Sequence, residues 1–514
     1  MNRPADTPAS LSASPTCLPE TALDQWRKLL GSARVQDDAD TRGRYARTTL
    51  AQAPSTRAVL RAKEAAQIPD ILRIARDHHI PLYPISRGRN WGWGDACPVT
   101  AGQVILDLGD LDRIIEIDET LGYAVVEPGV TQSQLASELA TKAPGWWLES
   151  TNAGAQTSII GNTLERGLGM GERTASMCGI EAVLPDGCTL RTGFGAFPGS
   201  RVAHLAKWGL GPGTESLFCQ SNLGIVTRMG IWLKPRPAGA ECCMISTPAD
   251  RLPALIDALR PLRLHGVLPT NVHVFPVTGL AGAPRWLALG AIYGPRATRA
   301  AHRLKIEQKV AGLGRIAYFE QAPVEATETL ETLAMAATPG IGDLFNAGES
   351  LCTGTPYTPG AEFLLAYLGG QGIQKKQAKP ETADPLKNDY GFYFLWTTSP
   401  ATGADVAQAM QLAGDTCAGF GFSPRITLQL PNGRAAVLVT RICFERADPS
   451  ASAQARRCYD RLLNASVDAG FPPWRLGIEG MSQLKHPKHD MAFARKLKQW
   501  MDPESILAPG RYVW

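Results

Sequence analysis

A glycine-rich stretch that follows a short apolar segment constrains the fold of this chain most strongly. Residues 84–98 read PISRGRNWGWGDACP, with glycines at 88, 92 and 94, and they follow a predicted strand over 81–85. Glycines at this spacing allow a tight turn whose backbone N–H groups point at one spot, as in loops that bind a pyrophosphate. Because such a turn can also be a plain connection, the rest of the chain decides between the two interpretations.

The composition excludes several classes of protein. At 514 residues the chain is too long for one compact core, so we expect two or more domains. A net charge of +4 gives no basis for binding nucleic acid or an anionic membrane surface. No apolar run is long enough for a membrane span or a signal peptide. The eleven cysteines lack a CxxC pair, which favours reduced thiols in a cytoplasmic protein over a zinc site or a disulfide framework.

Mixed helical and strand patterns predict an α+β fold in the first half of the chain. Helices are predicted at 21–30, after Pro69 and at 132–141, and strands at 81–85, 104–108, 124–127, 179–184 and 225–233. The Asp186-Gly187 turn predicts a β-hairpin over 184–190. No GxGxxG follows a first strand, so the nicotinamide-dinucleotide fingerprint is absent.

A breaker cluster at 235–239 separates a second region with its own pattern. From about 240 to 460 we expect an open sheet with helices on one face. Its predicted helices are 253–260, 295–311 and 403–413, and its predicted strands are 286–292, 392–396 and 436–444. The polar insertion 371–388 predicts a mobile loop, and helices over 451–469 and 489–501 lead to the C-terminus.

Further segments occur in a fixed order around the glycine-rich stretch. They are 103–108 (QVILDL), 124–130 (AVVEPGV), 160–162 (IGN), 224–235 (GIVTRMGIWLKP) and 502–510 (DPESILAPG). This ordered set resembles the vanillyl-alcohol oxidase / p-cresol methylhydroxylase (PCMH) family of flavoproteins. The resemblance implies a two-domain flavoprotein whose domains follow one another along the chain. We expect a flexible tail over 1–20, a PCMH-type FAD-binding domain over 21–237, an α+β substrate cap domain over 238–460 and a C-terminal segment, 461–514, that returns to the FAD domain.

The resemblance also assigns the FAD contacts. We expect backbone donors to the pyrophosphate from 86–90 and a backbone contact of Ile225 with the adenine. The full expected set is Pro84, Ile85, Ser86, Arg87, Gly88, Arg89, Asn90, Pro128, Gly129, Val130, Ile160, Gly161, Asn162, Gly224, Ile225 and Arg511. The side chains of Arg87 and Arg89 either contact phosphate or form surface salt bridges.

The resemblance predicts FAD that is bound without a covalent link. Asn90 stands where some proteins of the wider fold carry a flavin-bonded histidine. The segment 390–394 (YGFYF), which best matches the cap strand with the family's other linking histidine, has none. A tyrosyl link through Tyr390 or Tyr393 is the alternative, and the competing interpretation is that both are core aromatics on a strand.

Three residues are expected to form the catalytic pocket. Family members that oxidise para-alkylphenols hold the phenolate between tyrosines and an arginine. The corresponding positions here carry Trp93 and the pair Trp474-Arg475. An indole N–H donates but does not ionise, whereas the Arg475 guanidinium suits a carboxylate as well as a phenolate. The pocket is therefore predicted to take a substrate other than a simple para-alkylphenol, unless the two tryptophans only fill the core.

The sequence does not identify a general base. The acidic residue that the family places near the flavin corresponds to a position close to Ala153, and a cap glutamate corresponds to Gln429. Four glutamates remain as unranked candidates: Glu149, Glu165, Glu172 and Glu349.

Three functions follow from these observations. The first is an FAD-dependent oxidase or dehydrogenase that takes hydride from a carbon of a small planar or carboxylate-bearing substrate. The second is a 4-alkylphenol methylhydroxylase or oxidase that passes electrons to oxygen or a cytochrome c. The third is a catalytically inactive flavin-fold binding subunit. The family habit is a homodimer, and the sequence predicts no metal site.

Overall fold

The computed structural model describes residues 17–151, 153–321, 326–336, 341–356, 385–387, 390–484 and 488–512. The predicted tail lies outside the described residues up to residue 16, and the predicted loop 371–388 lies outside them except for 385–387. Within the described ranges, no helix is both long and apolar enough to cross a membrane.

Each predicted helix and strand is present, with ends shifted by a few residues. The described α-helices are α1 (Glu20–Leu30), α2 (Ala39–Tyr45), α3 (Ile68–Asp77), α4 (Gln132–Lys142), α5 (Ile159–Leu164), α6 (Leu252–Leu264), α7 (Arg296–Val310), α8 (Ala326–Thr332), α9 (Ile341–Thr353), α10 (Gly403–Ala418), α11 (Pro449–Asp468), α12 (Ile478–Met481) and α13 (Lys488–Met501). The strands are β1 (Val35–Gln36), β2 (Thr56–Arg61), β3 (Leu82–Ile85), β4 (Gln103–Asp107), β5 (Ile114–Asp118), β6 (Tyr123–Val126), β7 (Trp146–Trp147), β8 (Met177–Val183), β9 (Thr189–Arg191), β10 (Ile225–Trp232), β11 (Lys234–Pro235), β12 (Ala240–Pro248), β13 (Val272–Thr278), β14 (Pro284–Tyr293), β15 (Arg315–Phe319), β16 (Tyr390–Pro400), β17 (Arg425–Leu430), β18 (Ala435–Glu445) and β19 (Pro473–Arg475).

The strands assemble into three larger sheets and one short pair. A four-stranded sheet has the order β1-β2-β4-β3, in which β2, β4 and β3 run parallel. A five-stranded antiparallel sheet has the order β5-β6-β10-β8-β9. An eight-stranded antiparallel sheet, which we call the cap sheet, has the order β15-β12-β14-β13-β17-β18-β16-β19. Strands β7 and β11 form the short pair.

Local sequence signals account for two features of the first half of the chain, helix α3 and the hairpin of β8 and β9. In α3 the residues Ile68, Ile71, Leu72 and Ala75 are fully buried, at the spacing of one helix face. They pack against the four-stranded sheet and direct the chain into β3. In the predicted hairpin between β8 and β9, Gly187 has φ +90°, a conformation that glycine adopts without steric strain.

The cap sheet is covered by helices on both faces, which differs from the expectation of helices on one face. Helices α6, α7, α10 and α11 bury one face of the sheet. The other face carries α8 and α9 at its β12–β14 end, where Leu330, Leu344 and Phe345 pack against Met244 and Leu289. These two helices were not predicted from the sequence.

The glycine-rich loop lies between β3 and the cap sheet. A Cβ atom at Gly92, whose φ is +77°, would lie 2.1 Å from the ring of Phe394 on β16. A Cβ atom at Gly94, whose φ is +120°, would lie 2.7 Å from the Ile478 side chain of α12. The C-terminal segment also reaches this region, since the backbone N–H of Ala508 donates to the Leu82 carbonyl over 2.7 Å. Glycine is therefore required where the loop meets the cap sheet.

Candidate active site

A cavity of about 370 Å³ lies where the glycine-rich loop, the five-stranded sheet and the cap sheet meet. Of the predicted FAD contacts, fourteen line it: Pro84, Ile85, Ser86, Arg87, Gly88, Arg89, Asn90, Pro128, Ile160, Gly161, Asn162, Gly224, Ile225 and Arg511. Trp93 and Arg475 line it as well. Residues from segments far apart in the sequence are thus brought to one cavity.

The glycine-rich loop offers unpaired donors to this cavity. From Arg87 to Asn90, none of the backbone N–H groups has a hydrogen-bond acceptor within the described part of the chain. Nearby, the Oδ1 atom of Asn162 is buried and has no hydrogen-bond partner among the described residues. The loop residues are half-buried or exposed, so their N–H groups are open to a bound molecule, whereas the buried Asn162 Oδ1 belongs to a class of atoms that almost always has a partner. The donors of the loop fit a pyrophosphate.

The two loop arginines differ in their surroundings. The Arg87 Nε donates to the Gly129 carbonyl over 2.7 Å, and its Nη2 lies 3.7 Å from Asp112. The Arg87 guanidinium therefore fastens the loop to its neighbours, as the salt-bridge interpretation expects. Arg89 is exposed and lines the cavity.

Two predicted FAD contacts do not line the cavity and form its supporting wall instead. A Cβ atom at Gly129 would lie 2.3 Å from the Gly109 carbonyl oxygen, so this position needs glycine for close backbone packing. Val130 is fully buried in the core under the five-stranded sheet. Their neighbour Pro128 lines the cavity, and its carbonyl accepts a 2.5 Å hydrogen bond from Ser158 Oγ. FAD contacts by Gly129 and Val130 stay a prediction, and the structure shows these two residues packed behind the cavity wall.

Arg475 lines the cavity, and one of its donors has no partner among the described residues. Its guanidinium lies 4.3 Å from the ring centre of Trp93, and Nη2 donates to Asn90 Oδ1 over 2.8 Å. Its Nε is buried and has no hydrogen-bond partner among the described residues. Burial lowers the pKa of Arg475 to about 10, so the group stays cationic near neutral pH. This donor and charge can receive an anionic group of a bound molecule.

Glu165, at the end of α5, is the counter-ion of this part of the cavity. Its Oε2 lies 3.2 Å from Arg475 Nη2 and accepts a 2.9 Å hydrogen bond from the Tyr512 hydroxyl. Its Oε1 accepts from Arg511 Nη2, and Arg511 Nη1 donates to the Tyr83 hydroxyl over 2.7 Å. Of the four glutamates considered as a base, Glu165 lines the cavity. Its contacts to two guanidinium groups make it the common partner of Arg475 and Arg511.

Trp93 lines the cavity, and Trp474 does not. Trp93 is buried, with ring centres 5.8 Å from Phe394 and 5.5 Å from Trp396. Trp474 packs against the lining residues Leu168 and Trp396, and the catalytic role expected of both tryptophans stays a prediction. The Trp474 indole Nε1 donates to the Arg166 carbonyl over 2.9 Å, and the Arg166 guanidinium covers its ring at 3.8 Å. In the pair Trp474-Arg475 the arginine takes the cavity position.

Tyr393 does not fit a covalent link to flavin. Its side chain packs between Phe444 and Tyr459, in the core between the cap sheet and helices α6, α7, α10 and α11. Because side chains alternate along a strand, Phe392 and Phe394 face the cavity instead. Tyr390 packs beside Phe392 and does not line the cavity. The interpretation of both tyrosines as packing residues agrees with this arrangement.

The cap sheet contributes cavity residues that the sequence did not suggest. They are His273, Phe275, Phe392, Phe394, Trp396, Thr427, Val439 and Arg441, together with Gln429, which was known only as a replaced glutamate. His273 and Gln429 face each other across β13 and β17. The sequence does contain a signal for His273, which stands between two valines, Val272 and Val274, that are buried in the structure. A single polar residue in such a strand indicates that the opposite face of the strand meets a polar site.

His273 is a neutral side chain in this cavity. Burial lowers its pKa to about 4. Its Nε2 lies 3.1 Å from the Gly169 carbonyl oxygen. The same Nε2 lies 3.4 Å from Asn271 Nδ2, so a carbonyl acceptor and an amide donor both contact this nitrogen. The side-chain amide of Gln429 lies opposite His273, and its Oε1 accepts a 2.9 Å hydrogen bond from Asn271 Nδ2 that fixes its orientation.

Asp95 predicts a pH dependence of stability. Burial raises the pKa of Asp95 to about 7, although Thr48 and Thr49 donate to its Oδ2. Between about pH 4 and pH 7 the unfolded chain has released a proton that the folded state keeps, so the free energy of unfolding falls as pH rises. Relative to an Asp95→Asn variant, the FAD-free protein should lose up to about 4 kcal/mol across this range. Urea unfolding at several pH values measures the difference, and parallel curves for the two proteins would contradict it.

The described residues hold no group of three or more His, Cys, Asp or Glu side chains suited to a metal ion. Each of the eleven cysteines is free. The closest pair of the cap, Cys417 and Cys458, has sulfur atoms 3.8 Å apart and lies in the helical layer away from the cavity.

Comparisons with known proteins show which proteins this chain resembles. A model of the FAD binding domain matches residues 56–193. The chain is 33% identical to 1'-carboxy-chondrochloren decarboxylase of Chondromyces crocatus over 96% of this chain and 97% of that protein. It is 30% identical to the 4-cresol dehydrogenase (hydroxylating) flavoprotein subunit of Pseudomonas putida over 95% of this chain and 94% of that protein.

Solved structures agree over nearly the whole chain. Substrate-bound p-cresol methylhydroxylase has a TM-score of 0.83 at 26% identity and covers 96% of each chain. The isoeugenol complex of 4-ethylphenol oxidase from Gulosibacter chungangensis has a TM-score of 0.84 at 25% identity and covers 96% of this chain and 97% of that one. The predicted α+β fold class and FAD as cofactor are confirmed.

Proposed function

Because the chain belongs to the p-cresol methylhydroxylase / vanillyl-alcohol oxidase family of FAD-linked oxidoreductases, we propose that it oxidises a small, planar organic substrate that bears a carboxylate. The observation that carries this proposal is the Arg475 guanidinium, which is buried, cationic and lines the cavity with an unpaired Nε. A guanidinium binds a carboxylate through short, charge-assisted hydrogen bonds.

At the end of the cavity opposite the proposed substrate anchor, the lining residues fit FAD. The unpaired N–H groups of 87–90 suit the pyrophosphate, and Gly224 and Ile225, at the start of β10, suit the adenine. Bound FAD would supply a hydride acceptor at N5 of its ring system. We propose non-covalent binding, since position 90 carries asparagine and Tyr393 is enclosed in the cap core.

The aromatic walls suit a planar substrate. Trp93, Trp396, Phe275 and Phe394 line the cap end of the cavity and offer flat apolar faces. Among the described lining residues, Tyr83 is the sole tyrosine, and its hydroxyl accepts from Arg511. The described lining of the cavity therefore holds no pair of tyrosines that could share a phenolic proton. This difference supports a carboxylate anchor at Arg475 over phenol activation.

A second candidate is oxidation coupled to decarboxylation. One full-length relative is named a decarboxylase of a 1'-carboxy compound. Of the described acids that line the cavity, Glu165 is held by two guanidinium groups, and Asp95 accepts from Thr48 and Thr49 through Oδ2, while its Oδ1 has no partner among the described residues. If hydride leaves the carbon next to the carboxylate-bearing carbon, loss of CO₂ supplies the electron pair of a new C=C bond. Bound FAD would supply the hydride acceptor, so this reaction would need no general base from the chain.

The test is anaerobic reduction of the flavin by matched compounds. Phloretate, which carries a para-hydroxyphenyl group on propanoate, differs from phloretamide only in its carboxylate. Bleaching of the visible flavin absorbance should be about 30-fold or more faster with phloretate at limiting concentration, as expected for a buried charge pair. Equal rates with both compounds would contradict the carboxylate anchor.

The products distinguish the two candidates. Phloretate that loses hydride and CO₂ becomes 4-vinylphenol, with one CO₂ for each flavin reduced. Phloretate that is oxidised with its carboxylate retained gives a desaturated or hydroxylated acid and no CO₂. Carboxyl-labelled phloretate and mass analysis of the products measure the outcome.

A further inference from the structure

The last described residues of the chain meet the proposed substrate anchor through one carboxylate. The Oε2 atom of Glu165 contacts Arg475 and accepts a hydrogen bond from the Tyr512 hydroxyl, and its Oε1 atom accepts one from Arg511. The side chains of Glu165 and Arg475 are about nine-tenths buried or more. In such a site an unpaired charge is costly, so the positions of these groups depend on one another.

The Tyr512 hydroxyl also holds the backbone beside Arg475. The hydroxyl oxygen accepts from the Leu476 backbone N–H over 3.3 Å and lies 3.0 Å from the Leu476 carbonyl oxygen. Its single proton is best placed on Glu165 Oε2, because a hydrogen bond to a carboxylate is the stronger one. Burial raises the pKa of Tyr512, so the hydroxyl keeps its proton. One oxygen atom thus contacts both the counter-ion and the residue that follows Arg475.

The segment that carries Arg511 and Tyr512 is fixed to the cofactor side of the cavity. Residue Leu507 bridges Leu82 of β3, and the Ala508 carbonyl accepts from Asn222 Nδ2 over 3.0 Å. Arg511 itself lines the cavity beside Tyr83. The C-terminal segment therefore connects β3, which leads into the glycine-rich loop, with the arginine at the substrate end.

From this geometry we propose that Glu165 and Tyr512 are positioning residues for Arg475, so that the C-terminal segment forms part of the substrate site. They hold the guanidinium in place at the cavity wall and thereby set the affinity for a carboxylate. The inference rests on the proposed function, since it concerns the same anchor. Neither residue needs to touch the substrate, and neither takes part in the chemical step.

The test measures binding of benzoate and of neutral benzamide to the FAD-loaded protein by calorimetry. Tyr512→Phe removes one oxygen atom and should weaken benzoate about tenfold, with benzamide unchanged. Glu165→Asp keeps the charge but shortens its reach by one methylene group, and it should lower the benzoate preference in the same way. With phloretate as substrate, both variants should raise KM and leave kcat close to that of the parent protein. The matched control is Tyr293→Phe, which loses a 2.7 Å hydrogen bond to the Leu351 carbonyl outside the cavity.

Three outcomes are distinguishable. If the parent protein prefers benzoate and both variants lose that preference, the positioning role is supported. If the parent protein prefers benzoate and both variants keep the preference, the positioning role is wrong and the anchor stands. If the parent protein binds benzoate no better than benzamide, the proposed function fails, and the positioning role fails with it.

Discussion

Arg475→Ala is expected to lower kcat/KM for a carboxylate substrate such as phloretate by about 10²- to 10³-fold. Removing one partner of a buried, hydrogen-bonded charge pair costs about 2–5 kcal/mol. Here the substitution removes the donor to the substrate and leaves Glu165 and Asn90 without a contact each. Arg475→Lys keeps the charge but not the planar fork, so its loss should be smaller, about tenfold. Steady-state kinetics with phloretate and phloretamide measures both effects.

The control for this prediction is an arginine in an exposed ion pair. Arg73→Ala removes a guanidinium from pairs with Asp70 and Asp77 on the surface of α3, and it should leave kcat/KM unchanged. For Arg475→Ala, an equal loss with phloretate and phloretamide would show that the arginine only supports the fold. No loss with either compound would show that the anchor is elsewhere.

Gly92→Ala is expected to weaken FAD binding by at least about tenfold and to lower the thermal midpoint of the protein. The new Cβ atom would lie 2.1 and 2.9 Å from ring atoms of Phe394 and 3.0 Å from the ring of Phe392, at a φ of +77°. Overpacking of this kind costs about 1–3 kcal/mol, and the left-handed conformation adds about 1 kcal/mol or more. To relieve this overlap the glycine-rich loop must move away from the cap sheet. The backbone N–H groups proposed to bind the pyrophosphate then lie farther from the cap-sheet residues that line the cavity. Flavin fluorescence titration and thermal unfolding measure the two effects.

A second glycine separates the two causes. Gly199 has a φ of +70°, and a Cβ atom there would have no neighbour within 4 Å. Gly199→Ala thus carries the conformational cost without the clash, and it should retain the FAD affinity of the parent protein. If Gly92→Ala binds FAD as tightly as Gly199→Ala does, the close approach of loop and cap sheet is not needed for the cofactor site.

The sequence predicts the cofactor end of the site well, because local chemistry determines it. A loop with glycines at 88, 92 and 94 after β3 must turn tightly, and the structure leaves its N–H groups at 87–90 unpaired toward the cavity. Arg475 was also found, from its place in a recognised motif. These features depend on a few consecutive residues.

The substrate end was predicted less completely, because it depends on which face of each strand meets the cavity. Each residue of β16 from Phe392 to Trp396 is apolar, so no alternation of polar and apolar residues shows which side chains face the cavity. Tyr393 therefore remained a candidate for the link to flavin. Trp474 and Arg475 are adjacent, and only the three-dimensional packing shows which of them faces the cavity. The contact of Glu165 with Tyr512 joins residues 347 positions apart, which no local pattern predicts.

The preference for a carboxylate over a plain alkylphenol is the central claim, and one anaerobic experiment tests it directly. The flavin-loaded protein is mixed with phloretate and, separately, with 4-ethylphenol, and the rate constant of flavin reduction is divided by the dissociation constant. The account predicts a ratio about 30-fold or more in favour of phloretate, because only phloretate reaches Arg475 with an anion. Reduction by 4-ethylphenol that equals or exceeds reduction by phloretate would contradict the account and would indicate oxidation of 4-alkylphenols instead.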